Sequence, residues 1–459
     1  MYDAAHLMGR GQVTRKQVIF PAAIAALMVV GLADRIAAQE RPGGSGWFGG
    51  MFSSQERGGD VMHAVGRDGQ SSQPVMNVTG SEWSHGFDPT SDRFSFTFDT
   101  RQPIISEQTA DSIDRAIQDY RSIAMRGGWG RVPADHSLSL GSTHPNVRAL
   151  RERLMATGDL SRQAGLSETY DTYVEAAVRR FQTRHGVVPD GVVGRETLRE
   201  LNVPVESRIA QLEINRERVR SLTGDIGNRF VMVNIPGAEI EVVENGEVVS
   251  RHTAVVGKVE RPTPLLSSRI IEVNFNPYWH VPRSIVRRDI IPTMREDPDY
   301  LNRYNIRIYD QSGDELDPRS VDWHTEEAVD YLLRQDPGDM NSLGSVRINF
   351  HNEHSVFLHD TPLQSLFGIN DRLESSGCVR VQNVRQLVTW LLEPNGDWSR
   401  SKVDAVIRSG ERLDVRLQNP ARLHMAYVTA WASADGVVNF RQDVYGRDGG
   451  PVAAVSTEL

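Results

Sequence analysis

An α+β fold is predicted: a mostly-β domain with an inserted subdomain, preceded by a small three-helix domain. Three observations carry it. Apolar residues recur at helical spacing up to about residue 228, the period switches to two from Arg229, and a charged stretch from about Arg283 to Gly344 interrupts that alternation before it resumes. A chain of 459 residues is too long for one core, so two or three domains are expected. Hydrophobic residues at 39% and charged residues at 24% suit a globular protein, and a net charge of -9 argues against a nucleic-acid surface. No nucleic-acid partner is expected.

Taken in order, Arg10, Arg15 and Lys16 precede an apolar stretch from Val18 to Ala33 and the small residues Ala37 and Ala38, which reads as an export signal over 1–38. The stretch is short for a spanning helix, so the segment is either cleaved or kept as a membrane anchor. Residues 39–100 are rich in Gly, Ser and Gln and read as a linker. In 101–143, Ile113, Ile117, Tyr120 and Ile123 follow Ser106 at helical spacing until Gly127-Gly128 stops the run. Residues 144–204 hold helical patterns at Val147–Leu154 and Val174–Gln182, with glycines at the turns, and 205–228 reads as a connecting helix.

The mostly-β domain is placed at 229–409. Phe230–Ile235, Glu239–Val243 and Val248–Val256 alternate as strands, with Asn245-Gly246 as the hairpin turn. The stretch at about 283–344 has no strand alternation, a helix-like run from Glu326 to Leu333, and Pro and Gly breaks; it reads as a mobile lid inserted into the domain, in preference to a solvated surface loop, because so long a stretch without strands inside a β domain is usually functional. Val384–Leu392 reads as an amphipathic helix. In 410–459, Val415–Leu417 and Ala426–Trp431 read as strands closing the sheet, before a disordered last dozen residues.

The chemistry gathers near Cys378, the only cysteine, in Glu374-Ser375-Ser376-Gly377-Cys378-Val379-Arg380-Val381. A lone thiol in an exported chain has no internal disulfide partner, which favours reactivity over packing. His359 ends the run Ser355-Val356-Phe357-Leu358-His359, where alternation puts Phe357 and His359 on one face and Val356 and Leu358 on the other. A thiol nucleophile needs a base, a small neighbour and backbone N–H groups for an oxyanion. His359 is the candidate base, and the backbone N–H groups around Gly377 and Cys378 are the candidate oxyanion donors. His351, Glu353 and His354 do not form a zinc-like set, so no metal and no cofactor are expected.

The spacing from His359-Asp360-Thr361-Pro362 to Ser375-Ser376-Gly377-Cys378-Val379-Arg380 resembles the L,D-transpeptidases of the bacterial cell wall, with their YkuD-type catalytic domain. Many short members carry His where this chain has Ser376; the long Gram-negative members resemble it there. Residues 146–203, with Phe181-Gln182, His185-Gly186, Asp190-Gly191 and Gly194, resemble a three-helix peptidoglycan-binding domain. The resemblance implies periplasmic work on peptidoglycan stems and glycan, membrane contact being limited to an uncleaved N-terminus. It implies a Cys378 thioester on the donor stem, resolved by an amine to a 3→3 cross-link; a hydrolase of the same fold and a non-catalytic wall-binding module are the alternatives. Arg380 either meets a substrate carboxylate or braces the turn. Ser375, Ser376 and Asp360 are further candidates beside the substrate, and Tyr278 and Trp279 are either groove-lining or structural.

Overall fold

The computed structural model describes residues 101–449, except Ala134 and Asp225, and the backbone of Ser456 and Thr457. The expected export signal, the linker and most of the last dozen residues lie outside the described residues. No described helix is long and apolar enough to cross a membrane.

Helix α1 (Glu107–Met125) starts where Ser106 accepts the Thr109 N–H, and ends at Gly127 and Gly128, both with positive φ. Its apolar stripe, Ile113, Ile117 and Tyr120, packs on α5 (Val205–Thr223). Between them α2 (Pro145–Ala156), α3 (Thr172–Arg184) and α4 (Arg195–Leu201) enclose a separate core of Val147, Leu150, Val174, Val178, Phe181 and Leu201. The segment before α3 wraps round Arg151, whose buried guanidinium donates to the carbonyls of Ala164 and Thr169 and to Asp171.

The catalytic sheet is built from β1 (Arg229–Asn234), β2 (Glu239–Glu244), β3 (Glu247–Gly257) and β4 (Leu266–Phe275), then β9 (Val346–Phe350), β10 (Leu358–His359), β11 (Leu373–Ser375), β12 (Val379–Val381) and β13 (Leu413–Ala426). Its order is β11-β3-β12-β10-β9-β4-β13-β1-β2, and β2 pairs back with the first half of β3, so the sheet closes on itself. The hairpin between β2 and β3 turns at Asn245 and Gly246, both at positive φ. Helices α9 (Val384–Leu392) and α10 (Arg400–Ser409) supply Leu387, Val388, Leu391 and Val403 to the core beneath.

Three expectations need correcting. The stretch at 283–344 is neither a loop nor lacking in strands: β5 (Trp279–His280), β6 (Ile306–Tyr309), β7 (Glu315–Leu316) and β8 (Leu332–Gln335) form a sheet ordered β5-β8-β6-β7. With α6 (Arg283–Ile285), a π turn over Val286–Ile290, α7 (Ile291–Glu296) and α8 (Tyr300–Arg303), they bury Val286, Ile290, Leu301, Ile308 and Leu333 in a core of their own. The helix-like run from Glu326 is a single 3₁₀ turn, Glu327–Asp330, because pairing with β6 and β5 draws Leu332–Gln335 into β8. Finally, β13 lies between β4 and β1, whereas β14 (Ala430–Ala432) leaves the sheet to pair with β15 (Val438–Phe440) against α1 and α5. Ser456–Thr457, labelled β16, pairs with β4.

Candidate active site

Alternation in β9 sends Val346, Ile348 and Phe350 into the core and leaves Arg347 on the opposite face. Register then builds a polar row. His359 on β10 stands opposite Arg347 on β9 and opposite Arg380 on β12, and directly opposed residues share a face. Asn274 on β4 and Asp414 on β13 continue the row beyond Arg347. On the other face Ile348, Leu358 and Val379 are sealed in the core, so the row lies on the side that the inserted subdomain covers. Phe357 packs against both cores and joins sheet to lid.

Cys378 sits in the turn just before β12. A cavity of about 130 Å³ opens beside it, lined by Cys378, His359, Phe357 and Arg380 from the sheet and by Trp279 and Leu343 from the lid side. The turn is held from within: Ser375 Oγ donates to the Cys378 carbonyl at 2.5 Å and accepts the Gly377 N–H at 3.1 Å. From outside, Thr263 Oγ1 donates to the Gly377 carbonyl at 3.0 Å and accepts the Gly257 N–H. Gly377 has φ of 111°, a conformation that a side chain disfavours, although the nearest neighbour of an added Cβ would be 3.6 Å away. Conformation, rather than space, requires glycine there.

These bonds distinguish the two N–H groups expected to face an oxyanion. The Gly377 N–H is spent on Ser375. The amide of Cys378 itself has no acceptor among the described residues. Ser375 is a turn brace, 2% exposed, and Ser376 lines the cavity while its Oγ accepts from Arg261 Nη1 at 2.9 Å. The Asp360 carboxylate turns away, accepting from the N–H and Oγ of Ser345, and packs so closely on Gly344 that a Cβ there would lie 2.6 Å from it. Asp360 therefore acts through its backbone: the Nδ1 of His359 is 2.5 Å from the Asp360 carbonyl. A carbonyl only accepts, so Nδ1 carries the proton and Nε2 keeps the lone pair. Trp279 is a buried lid residue at the cavity wall, whereas Tyr278 is not in that wall and lies under Arg334 and Arg412.

Electrostatics favour a neutral resting pair. Burial pushes the Cys378 thiol up to about 11, against the opposite pull of the Phe357 amide and of Arg347 and Arg380. Burial, then the nearby Arg380, lowers His359 to about 3, although its bond to the Asp360 carbonyl works the other way. Arg347 escaped the sequence reading; a cation alternating with apolar residues in a strand was the available signal, but only register shows it beside His359. Arg261, Thr263 and Asp289 gain their roles through equally remote contacts. Among the described residues, the one set of His, Cys, Asp and Glu groups close enough to share an ion is Asp135, His136 and His144, where His144 already caps α2 through Nδ1.

The description "L,D-transpeptidase catalytic domain" (YkuD) matches residues 228–407, and "Putative peptidoglycan binding domain" matches 143–201. The chain carries a YkuD-type L,D-transpeptidase catalytic domain. A "Putative L,D-transpeptidase" of Haemophilus influenzae is 33% identical over 260 residues, covering 55% of this chain and 52% of that protein, so the match spans about half the relative's length. Among solved structures, an L,D-transpeptidase from Xylanimonas cellulosilytica is 17% identical over 64% of this chain and 98% of its own, with a TM-score of 0.22. One from Stackebrandtia nassauensis is 13% identical over 64% and 97%, with a TM-score of 0.25. Along the chain, the region matching a putative peptidoglycan binding domain precedes the one matching the catalytic domain, in the order the sequence resemblance implies.

Proposed function

We propose that this chain forms 3→3 cross-links in peptidoglycan through a thioester on Cys378. The observation that carries the reading is the pair itself: a thiol at a cavity shared with a buried imidazole whose Nδ1 is tied to a backbone carbonyl, leaving Nε2 as the base. His359 takes the Cys378 proton as sulfur attacks the carbonyl of the third residue of a donor tetrapeptide stem. The Cys378 N–H, together with the cation Arg380, stabilises the oxyanion. As the tetrahedral intermediate collapses, the C–N bond to the terminal D-Ala breaks and His359 returns the proton to that amine. An amine of a neighbouring stem then displaces the thioester.

The neutral resting pair fits this sequence. A thiol held protonated by burial is protected from adventitious oxidation, and the proton moves as the carbonyl is attacked. The apolar N-terminal stretch supports export to the periplasm, where such stems lie, and the helical domain supports attachment to the wall. Incubation with tetrapeptide-rich sacculi tests the reading. An intact-mass increase equal to the donor acyl group on Cys378, followed by cross-linked muropeptides, is the expected result; products formed with no acyl adduct, or an adduct on a serine, overturn it.

A further inference from the structure

Arg380 and Arg347 flank His359 on opposite strands, but they are used differently. Arg380 is 2% exposed and lines the thiol cavity; Arg347 is half-buried and lies outside that cavity, its guanidinium carbon 4.4 Å over the ring of Phe357. Phe357 thus has the thiol cavity on one side and a cation on the other.

Arg347 stands in a group of cations. Arg334 lies 4.5 Å over the Tyr278 ring and donates to Tyr309 Oη, and Arg412 is 6.0 Å from the same Tyr278 ring. His280 stands close enough to Arg334, Arg347 and Arg412 for all three to lower its basicity, after the larger effect of burial. The acids facing this group are Glu272, Asp414 and Asp336, and all are engaged; Asp336 accepts from Arg307 and Arg334. Asp414 accepts from Arg412 and from the Asn274 amide, and Glu272 from the amides of Asn274 and Asn349. The Arg347 side chain makes no hydrogen bond with the described residues, and its Nε is buried without a partner. A desolvated guanidinium with unused donors, one strand from the proposed base, is built for an oxyanion brought by a ligand.

We infer that Arg347 is a specificity residue for the incoming amine, binding the carboxylate on the carbon that bears it. The inference rests on the transpeptidase reading. In diaminopimelate each amine and a carboxylate share one carbon, so a grip on the carboxylate fixes the nitrogen. Surrounding cations also disfavour an ammonium ion and so favour the free amine that attack requires. The nitrogen then attacks the thioester carbonyl, the C–N bond forms, the C–S bond breaks, and Cys378 leaves as thiolate. The proton lost by nitrogen passes to His359 Nε2 and on to the sulfur, which restores the neutral pair.

The test uses the full chain as preformed acyl-enzyme, so that a changed acylation rate does not enter, and intact mass verifies the thioester in each variant. Acceptor stems with that carboxylate free or amidated are supplied, and the ratio of cross-link to hydrolysed tripeptide is read. Wild type should lose about tenfold in transfer on amidation. Arg347→Gln should treat both acceptors alike, and Arg347→Lys should restore most of the discrimination. Undiminished tenfold discrimination by the Gln variant overturns the inference, as does discrimination that tracks amidation of the donor instead. Failure of the wild-type chain to form any acyl-enzyme is a different result, and it removes the transpeptidase reading.

Discussion

Arg261 and Asp289 form a two-pronged ion pair, Nη1 to Oδ2 at 2.6 Å and Nη2 to Oδ1 at 3.2 Å, that ties the loop after β3 to the π turn of the lid. The same Nη1 donates to Ser376 beside the thiol, so lid and catalytic turn share one guanidinium. Asp289→Asn weakens the tie by about 1–3 kcal/mol while keeping its shape. The fraction of donor stem released as hydrolysed tripeptide should rise several-fold, as measured by chromatography of the products. An unchanged ratio in a variant with lowered thermal stability would make the pair purely structural.

Cys378→Ala removes one sulfur atom and should leave a folded protein, with stability changed by no more than about 1–2 kcal/mol. Acyl adduct and cross-linked product should both vanish. Circular dichroism and intact mass on the same sample decide this.

The pH dependence follows from the two shifts. His359, lowered to about 3, stays neutral and basic at all higher pH, and Cys378, raised to about 11, stays protonated at all lower pH. Acylation by a small strained lactam should therefore be level from about pH 5 to 9, without the inflection that an ordinary imidazole gives near 6.5. A half-maximal point between pH 6 and 7 would mean that the cavity is wet enough for His359 to titrate normally.

His359→Ala removes the base and leaves a thiol that must ionise alone. Acylation at pH 7 should fall by about 10³-fold or more, then climb roughly tenfold per pH unit towards pH 11. Recovery that levels off near 8.5, the value of an exposed thiol, would show that burial does not hold Cys378 up.

Gly377→Ala places a side chain at φ of 111°. The expected cost is about 1–3 kcal/mol of stability in denaturant unfolding, with acylation slowed about tenfold as the Cys378 amide is turned. Wild-type acylation in this variant would remove the turn's shape from the mechanism.

How much was legible in the sequence depended on how far each cause reached along the chain. The hairpin at Asn245-Gly246, the stop of α1 at Gly127-Gly128 and the alternation that puts Val356 and Leu358 in the core are local, and their signals are local. Cys378 and His359 were legible because their motif is compact. Asp360 was legible as a neighbour of the site, but not the group it contributes: its carbonyl, which every residue has, meets His359, while its carboxylate serves Ser345. Arg347 became visible only through the register of β9 on β10, and the lid's strands only through their pairing partners. Charge and Pro/Gly content in that stretch masked a core built from scattered residues such as Val286, Leu301 and Leu333.

The position of β13 bears on how the molecule can form at all. It pairs with β4 on one side and in parallel with β1 on the other, yet it follows nearly every other catalytic strand in the chain and lies beyond residue 407, where the family match ends. While synthesis proceeds, β1 and β4 present bare hydrogen-bonding edges with nothing to fill them. Closure waits for β13 to emerge, so the sheet depends on pairing between segments far apart in the chain and forms slowly. Loss of the chain's final fifty residues would thus remove a central stave of the barrel, leaving an aggregation-prone remnant in which Cys378 and His359 are present but their sheet cannot close.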